Sequence, residues 1–217
     1  IVEMAPELLA REDADAAAVV QTSLERDGVR VLLGHKAIEA RAGEPHLLVV
    51  EHEGTRTELA FDLLLVAVGR TANVDGFGLE TLGIPLRRNR TIETDDYLRT
   101  KFPNILALGD VAGPFQLTHA GAHQAWYAAV NALFGGLKSF RADYRVLPAA
   151  TFTDPELARV GINEREAEAQ GIAVEVIVHP FSELDRAIAE GATEGFVKVL
   201  VPPGKDTILG ATIVGAR

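Results

Sequence analysis

The chain of 217 residues is 47% hydrophobic and 24% charged, carries a net charge of −10 and contains no cysteine. This acidic balance, without a stripe of basic side chains, argues against a nucleic-acid-binding protein, and the lack of cysteine excludes disulfides, thiolate metal sites and thiol catalysis within this sequence. No apolar run approaches the roughly 18 residues of a membrane span and no signal-peptide pattern opens the chain, so we expect a soluble, cytoplasmic protein without a membrane partner.

Both ends of the sequence have the pattern of unfinished secondary-structure elements. The chain begins at Ile1 rather than at a methionine, and residues 1–3 have the pattern of the end of a strand. An apolar, β-branched run at residues 208–214 lies at the other end. We therefore expect the sequence to be part of a longer chain.

A helix between two strands is predicted at the start. Ala17, Val20 and Leu24 recur at helical spacing and predict a helix over residues 13–27. A short apolar strand is predicted at residues 29–33. Strand, helix and strand in such a short stretch fit half of a doubly wound nucleotide-binding unit.

The next stretch predicts an antiparallel β-meander followed by a core strand. Glycine-containing turns separate three strand patterns, and a continuous apolar run then predicts a strand that is buried on both faces. The meander strands are predicted at residues 36–41, 46–53 and 55–61, and the buried strand at residues 63–68.

A loop-rich stretch at residues 74–104 precedes a buried strand at residues 105–108 and a helix at residues 118–134. Beyond residue 147, strands and helices alternate, which predicts a mixed α+β domain. Its strands are predicted at residues 151–152, 159–162, 174–178, 195–201 and 208–214, and its helices at residues 164–170 and 182–190.

The first candidate binding feature is the turn after residues 105–108. Gly109 and Asp110 directly follow this strand, and ligands of open α/β sheets bind beyond the carboxyl ends of the strands. Glycine lets a ligand approach the backbone, and aspartate can accept hydrogen bonds from a sugar or ribityl hydroxyl. The alternative is an ordinary turn whose aspartate caps the backbone.

The second candidate is the start of the helix at residues 118–134. Its first turn contains Thr118 and His119 but no acidic residue, and the positive end of a helix suits an electron-rich ring or an oxyanion. The alternative is an ordinary helix that Thr118 caps. His119 and His123 could together bind a metal, but no third ligand is evident, and we predict no metal site.

Glu3 closes the predicted opening strand. In dinucleotide-binding folds, an acid at the end of this strand bonds the adenosine ribose hydroxyls and disfavours a 2′-phosphate, which favours NAD over NADP. The glycine-rich turn that precedes such an acid is not in this sequence. The alternative is an ordinary acid at a strand end, and NADP is not excluded.

Five motifs in order resemble those of the pyridine nucleotide–disulfide oxidoreductases, and the match covers essentially the whole chain. Within that family the sequence is most similar to the mercuric-reductase-like and dihydrolipoamide-dehydrogenase-like branch. The motifs are the Gly-Arg-x-x-Asn signature after an apolar strand at residues 66–73, the second FAD signature at 107–111, the flavin-covering segment at 117–120, the start of the dimerisation domain at 152–161, and its central strands at 195–198 and 208–215.

The resemblance implies three partial domains. They are a partial doubly wound NAD-binding domain with a β-meander at residues 1–72, the C-terminal part of an FAD-binding domain at residues 73–146, and a partial, mixed α+β dimerisation (interface) domain at residues 147–217. The fold class expected is therefore α/β combined with α+β. The resemblance also implies a homodimer that pairs through residues 147–217.

In the intact enzyme, the resemblance implies hydride transfer from NAD(P)H to FAD and then to a disulfide or similar small-molecule acceptor. Asp110 would bond the ribityl chain, and the backbone at Thr118 and His119 would face the flavin N1–C2 edge. Gly69 would let the nicotinamide cofactor approach, and Arg70 would lie near the join of the two cofactor domains. The cofactor-binding residues implied are Glu3, Gly69, Arg70, Gly109, Asp110, Thr118 and His119.

No catalytic residue is assigned within the sequence, because the family's redox cysteine pair and its acid–base His and Glu are not in it. The isolated chain is expected to be inactive. One alternative is a non-catalytic dimerisation or scaffold module, which would contain no flavin. Another is a metal-binding protein that uses His119 and His123. The electron acceptor stays open among lipoamide, mercuric ion, another small disulfide and a quinone.

Overall fold

The computed structural model describes residues 1–216, which form two compact units. The first unit joins residues 1–65 to the chain from Pro148 onward, and the second comprises residues 66–147. The structure is mixed α and β with two antiparallel sheets, which confirms the predicted fold class. Within the described residues, no helix is both long enough and apolar enough to cross a membrane.

The described residues form five α-helices and eight strands. The helices are α1 (Ala14–Arg26), α2 (Leu79–Leu82), α3 (Thr118–Phe134), α4 (Glu164–Gln170) and α5 (Asp185–Glu190). The strands are β1 (Lys36–Arg41), β2 (His46–His52), β3 (Thr55–Phe61), β4 (Ala149–Thr151), β5 (Glu156–Gly161), β6 (Glu175–Pro180), β7 (Gly195–Val201) and β8 (Gly210–Gly215).

The first unit opens with a minimal strand–helix–strand arrangement. Helix α1 is flanked by an isolated parallel bridge between Val2 and Leu32. The Leu32 backbone N–H donates to the Ile1 carbonyl, and the Glu3 N–H donates to the Leu32 carbonyl, each at 2.9 Å. The prediction of a full strand at residues 29–33 is wrong: of these residues, only Leu32 forms a β-bridge.

The β-meander agrees with the prediction to within one residue. Strands β1, β2 and β3 pair antiparallel in sequence order. Val49 and Val50 of β2 are buried, whereas β1 is exposed along its whole length. This sheet therefore buries little more than its central strand.

The chain from Pro148 onward forms a five-stranded antiparallel sheet in the order β4-β5-β8-β7-β6. Helix α1 packs on one face of this sheet. Ala16 and Val20 of α1 join Leu157 of β5 and Val214 of β8 in a buried cluster. The hydrophobic core of the first unit thus unites the two separate stretches of sequence that form it.

A buried lysine adds an ionic link between the same two stretches. The Lys198 side chain on β7 is 1% exposed, and its Nζ lies 2.7 Å from Asp15 and 3.3 Å from Asp13 and also contacts Glu164. Burial by itself lowers the pKa of Lys198, but the hydrogen bonds to Asp15 and Glu164 and the charge of Asp13 outweigh it and raise this pKa. The ammonium is therefore held charged among three carboxylates.

A second, adjacent network surrounds Arg159 of β5. Its Nε donates to Glu12 at 2.9 Å and its Nη1 to Glu166 at 2.8 Å, and the Arg159 side chain is 13% exposed. Asn163 caps α4 by accepting the Glu166 N–H, while the Glu166 carboxylate accepts the Asn163 N–H. This capping box explains why the short helix α4 begins where the sequence predicts.

The second unit has its own apolar core. Six buried side chains form it, with Leu79, Phe102, Ile105 and Val111 packed against them; the six are Ala72, Val74, Ile84, Ile92, Ala107 and Ala112. Helix α3 matches its predicted bounds of 118–134. The predicted strand at residues 105–108 is wrong: only Leu106 pairs, in an isolated bridge with Arg99.

The predicted buried strand at residues 63–68 is also wrong. These residues form no strand, and Leu63, Leu65 and Val68 are 90%, 87% and 91% exposed. A strand exists only where a neighbouring segment accepts its backbone hydrogen bonds, and no described segment pairs with this one. The apolar pattern thus identifies a segment that lacks, within residues 1–216, the neighbours that would bury it.

Candidate functional site

The turn that carries Asp110 is shaped by glycine. Leu108 has an extended backbone, Gly109 has φ 74°, and residues Gly109–Val111 form a single 3₁₀ turn. The left-handed conformation at Gly109 is accessible to glycine without strain. A Cβ atom on Gly121 would lie 3.5 Å from the Gly109 Cα, so small residues allow the turn to approach the first turns of α3 closely.

Asp110 and Arg70 face each other beside this turn. The Arg70 Nη1 lies 3.8 Å from the Asp110 Oδ2 and donates to the Gln116 carbonyl at 3.0 Å. The two side chains are 67% and 50% exposed. An exposed ion pair contributes little stability, so both groups can exchange this contact for a ligand at small cost.

The start of α3 presents backbone donors without a side-chain cap. Leu117 occupies the N-cap position with an extended backbone, and no side chain caps the helix. The alternative in which Thr118 is the cap is wrong, since Thr118 is already the first helical residue. No acidic residue lies in the first turn, and both Thr118 and His119 are exposed. The positive end of the helix dipole is therefore available to an electron-rich group.

Six of the seven predicted cofactor-binding residues lie in the second unit, and Glu3 lies in the first. Gly69 is exposed and has φ 129°, a conformation that favours glycine. The Glu3 carboxylate is half-buried and accepts a hydrogen bond from the Ala5 backbone N–H at 2.7 Å through Oε1. Within the first unit, Glu3 thus caps a backbone N–H group through one of its two carboxylate oxygens.

A cavity of about 410 Å³ lies elsewhere in the second unit. The loop after Asp110 contributes Ala112, Gly113 and Pro114 to its lining, and Tyr144 contributes an aromatic side chain. None of the seven predicted residues lines this cavity. The candidate cofactor-binding residues therefore lie outside the lining of this cavity.

One of the two histidines of α3 contacts a backbone carbonyl group. The Nε2 of His123 lies 2.6 Å from the Asp143 carbonyl oxygen, to which it donates. Among the described residues, the three potential metal ligands found close together are those around Lys198, namely Asp13, Asp15 and Glu164. The Lys198 ammonium already supplies the positive charge at their centre.

Two family models together match most of the chain. The family model for pyridine nucleotide-disulphide oxidoreductases matches residues 1–130, and the model for their dimerisation domain matches residues 147–217. The chain belongs to the pyridine nucleotide-disulphide oxidoreductase family. This finding confirms the resemblance that the five motifs indicate.

Curated relatives that align with nearly all of the chain include dihydrolipoyl dehydrogenases. The enzyme from Mycobacterium leprae is 34% identical over 216 residues, which cover 99% of this chain and 46% of the relative. The enzyme from Zymomonas mobilis is 36% identical over 220 residues, covering 100% of this chain and 47% of the relative. The chain thus spans about half the length of these curated relatives.

Solved structures agree with the sequence comparison. LpdA from Mycobacterium tuberculosis matches with a TM-score of 0.86 at 31% identity, over 99% of this chain and 46% of that structure's chain. The HOCl-induced flavoprotein disulfide reductase RclA from Escherichia coli matches with a TM-score of 0.84 at 30% identity, over 100% and 49% of the two chains. The fold of the chain therefore resembles that of about half of each of these two solved structures.

Proposed function

We propose that this chain is part of an FAD-dependent oxidoreductase that passes a hydride from NAD(P)H to FAD and then electrons to a disulfide or similar small-molecule acceptor. The observation that carries the proposal is the juxtaposition of the glycine-shaped turn with the start of α3. An exposed carboxylate at Asp110 and an uncapped helix N-terminus follow each other within one short segment. Family membership supports the same reaction class.

The residues fit a flavin nucleotide chemically. A ribityl chain offers hydroxyl donors, and the Asp110 carboxylate is an acceptor that is half exposed and paired only weakly with Arg70. A flavin ring accumulates negative charge on reduction, and the first turn of α3 contains no acid to oppose it. FAD, when bound, would supply the two-electron redox chemistry.

This chain's own groups would bind and orient rather than react. Asp110 would hold ribityl hydroxyls, and the first-turn N–H groups at Thr118 and His119 would stabilise negative charge at the ring edge. The glycine backbone at Gly69 would let the nicotinamide nucleotide approach closely. Arg70 would balance the carboxylate of Asp110 at the edge of the cofactor site.

For the domain organisation, we propose that residues 1–72 belong to the NAD-binding domain, residues 73–146 to the FAD-binding domain and residues 147–217 to the interface domain. The dimerisation-domain match over residues 147–217 supports pairing of two copies through that segment. The chain alone contains no cysteine, so we propose that it does not reduce disulfides by itself.

The complete gene product that contains this sequence is expected to be yellow and to bleach when NADH is added without oxygen. Asp110→Ala is expected to weaken flavin binding by about ten- to a hundredfold, because a hydrogen bond to a charged group contributes about 1.5–3 kcal/mol. The measurement is the flavin dissociation constant, from visible absorbance of apoprotein titrated with FAD.

Asp75→Ala is the matched control, since Asp75 is an exposed acid of the same unit that pairs with Arg90 on the surface. It is expected to leave the flavin dissociation constant unchanged. A complete gene product that neither carries nor binds flavin would contradict the proposed function and favour the dimerisation or scaffold module.

We further propose that Glu3 binds the adenosine ribose of NADH. In the flavin-loaded protein, Glu3→Ala is expected to lower kcat/KM for NADH by about tenfold while leaving that for NADPH nearly unchanged. Steady-state rates with the two nucleotides and one artificial electron acceptor measure this preference. Equal losses for NADH and NADPH would assign Glu3 to its backbone cap at Ala5 alone.

A further inference from the structure

A fully buried amide ties the candidate flavin-binding turn to α3. The Gln124 side chain is 0% exposed. Its Oε1 accepts the Gly109 backbone N–H at 2.5 Å, and its Nε2 donates to the Gly113 carbonyl at 2.6 Å. The second Nε2 hydrogen bonds the Tyr144 hydroxyl oxygen at 2.8 Å. One side chain therefore holds both ends of the loop that carries Asp110.

The chemistry of the contacts explains why an amide occupies this position. The loop presents a backbone donor at one end and a backbone acceptor at the other, and only a side chain with both functions satisfies them together. Leaving either group unpaired in a buried place would cost more than its hydrogen bond contributes. Apolar replacements of Gln124 would therefore release both ends of the loop together.

The surrounding contacts fix the amide in turn. Tyr144 packs against Phe115 with ring centroids 5.4 Å apart, and burial, partly offset by the hydrogen bond from Gln124, raises the Tyr144 pKa. The Tyr144 hydroxyl therefore stays neutral and accepts the Gln124 N–H. Arg87 also contacts the same loop, because its Nη1 donates a hydrogen bond to the Ala112 carbonyl at 2.8 Å.

We infer that Gln124 is the positioning residue of the flavin-binding turn: it sets the place of Asp110 through Gly109 and Gly113 without touching the cofactor. This inference rests on the proposed function. The inference goes beyond the proposed function, because it makes flavin affinity depend on a buried side chain of α3 whose contacts are all with protein groups. Loss of the amide is expected to move the Asp110 carboxylate away from the ribityl hydroxyls.

The test compares two buried amides of the same helix in the complete gene product. Asn131 is 7% exposed, and it bonds the Phe140 N–H and carbonyl, both at 2.8 Å, at the other end of α3. Gln124→Leu and Asn131→Leu each remove an amide of similar burial. Both are expected to lower the unfolding midpoint, but only Gln124→Leu is expected to raise the flavin dissociation constant, by about tenfold or more.

Gln124→Glu provides a milder second variant in case the leucine variant does not fold. It keeps an acceptor for the Gly109 N–H and, when ionised, loses the donors to Gly113 and Tyr144. We expect a smaller rise in the flavin dissociation constant, of about threefold or more. The readout is binding of FAD to apoprotein, so it does not depend on turnover.

The outcomes separate the inference from the proposed function. Wild-type protein that binds no flavin would overturn both. If the wild type binds flavin, two results would overturn the positioning role and leave the proposed function standing. One is an unchanged flavin affinity in both Gln124 variants. The other is an equal loss of flavin affinity in Asn131→Leu. Selective loss in the Gln124 variants supports the role.

Discussion

Replacing Lys198 with methionine is expected to lower the free energy of unfolding by about 3 kcal/mol, the lower end of the range for breaking a buried ion pair. The substitution keeps most of the apolar stem but removes the ammonium. It leaves Asp13, which is 4% exposed, near two other carboxylates without their shared counter-ion. We expect a loss of unfolding free energy at the lower end of this range because Asp15 and Glu164 are 49% and 44% exposed, so that water can solvate their carboxylates.

Chemical denaturation at neutral pH measures this loss, and Lys205→Met is the matched control. Lys205 is exposed in the loop between β7 and β8, so its replacement is expected to change stability by no more than about 0.5 kcal/mol. Lys198→Met with the stability of the wild type would show that the buried ammonium only compensates for its own desolvation.

The same ion cluster gives a defined pH dependence. The pKa of Lys198 is raised in the folded protein, so its stabilising contribution is complete below the unfolded-state pKa of about 10.4 and is lost as the pH rises through the folded-state pKa. The difference in unfolding free energy between wild type and Lys198→Met is therefore expected to be constant from pH 7 to about 9 and to shrink above about 10.5. A difference that shrinks between pH 7 and 9 would contradict this assignment.

The elements that depend on local pattern could be predicted from sequence. The meander, α3, α4 and β7 lie where periodicity, glycine turns and capping residues place them. The motifs at residues 107–111 and 117–120 likewise predict a turn followed by a helix start, and the structure brings these two features together. Local signals were sufficient wherever the partners of a segment are close in sequence.

The elements that depend on distant partners could not be predicted in the same way. The apolar runs at residues 63–68 and 105–108 have strand composition, but no described segment pairs along their length. Lys198 is 183 residues from Asp15 in sequence. Because lysine side chains in proteins are mostly exposed, the sequence of the strand alone does not predict that Lys198 is buried. The role of Gln124 cannot be predicted from the sequence, because a glutamine on a helix carries no signal of which loop will bury it.

Replacing Leu157 with alanine is expected to lower the free energy of unfolding by about 3 kcal/mol. Leu157 is 1% exposed and lies opposite Val214 in the register of β5 and β8. It packs in the cluster with Ala16 and Val20 of α1. The shortened side chain would leave a cavity where α1 packs on the sheet, and the contact of Asp15 with Lys198 would oppose movement of α1 into that cavity.

Ile213→Ala provides the control for this last prediction on the same sheet. Ile213 neighbours Val214 on β8 but points to the opposite face, where it is 46% exposed. In a dissociated chain its truncation is expected to cost about 1 kcal/mol or less, against about 3 kcal/mol for Leu157→Ala. Denaturant unfolding of the two variants, at concentrations low enough to keep the protein monomeric, measures the contrast. Equal losses would mean that the packing of α1 on β5 and β8 does not hold the first unit together.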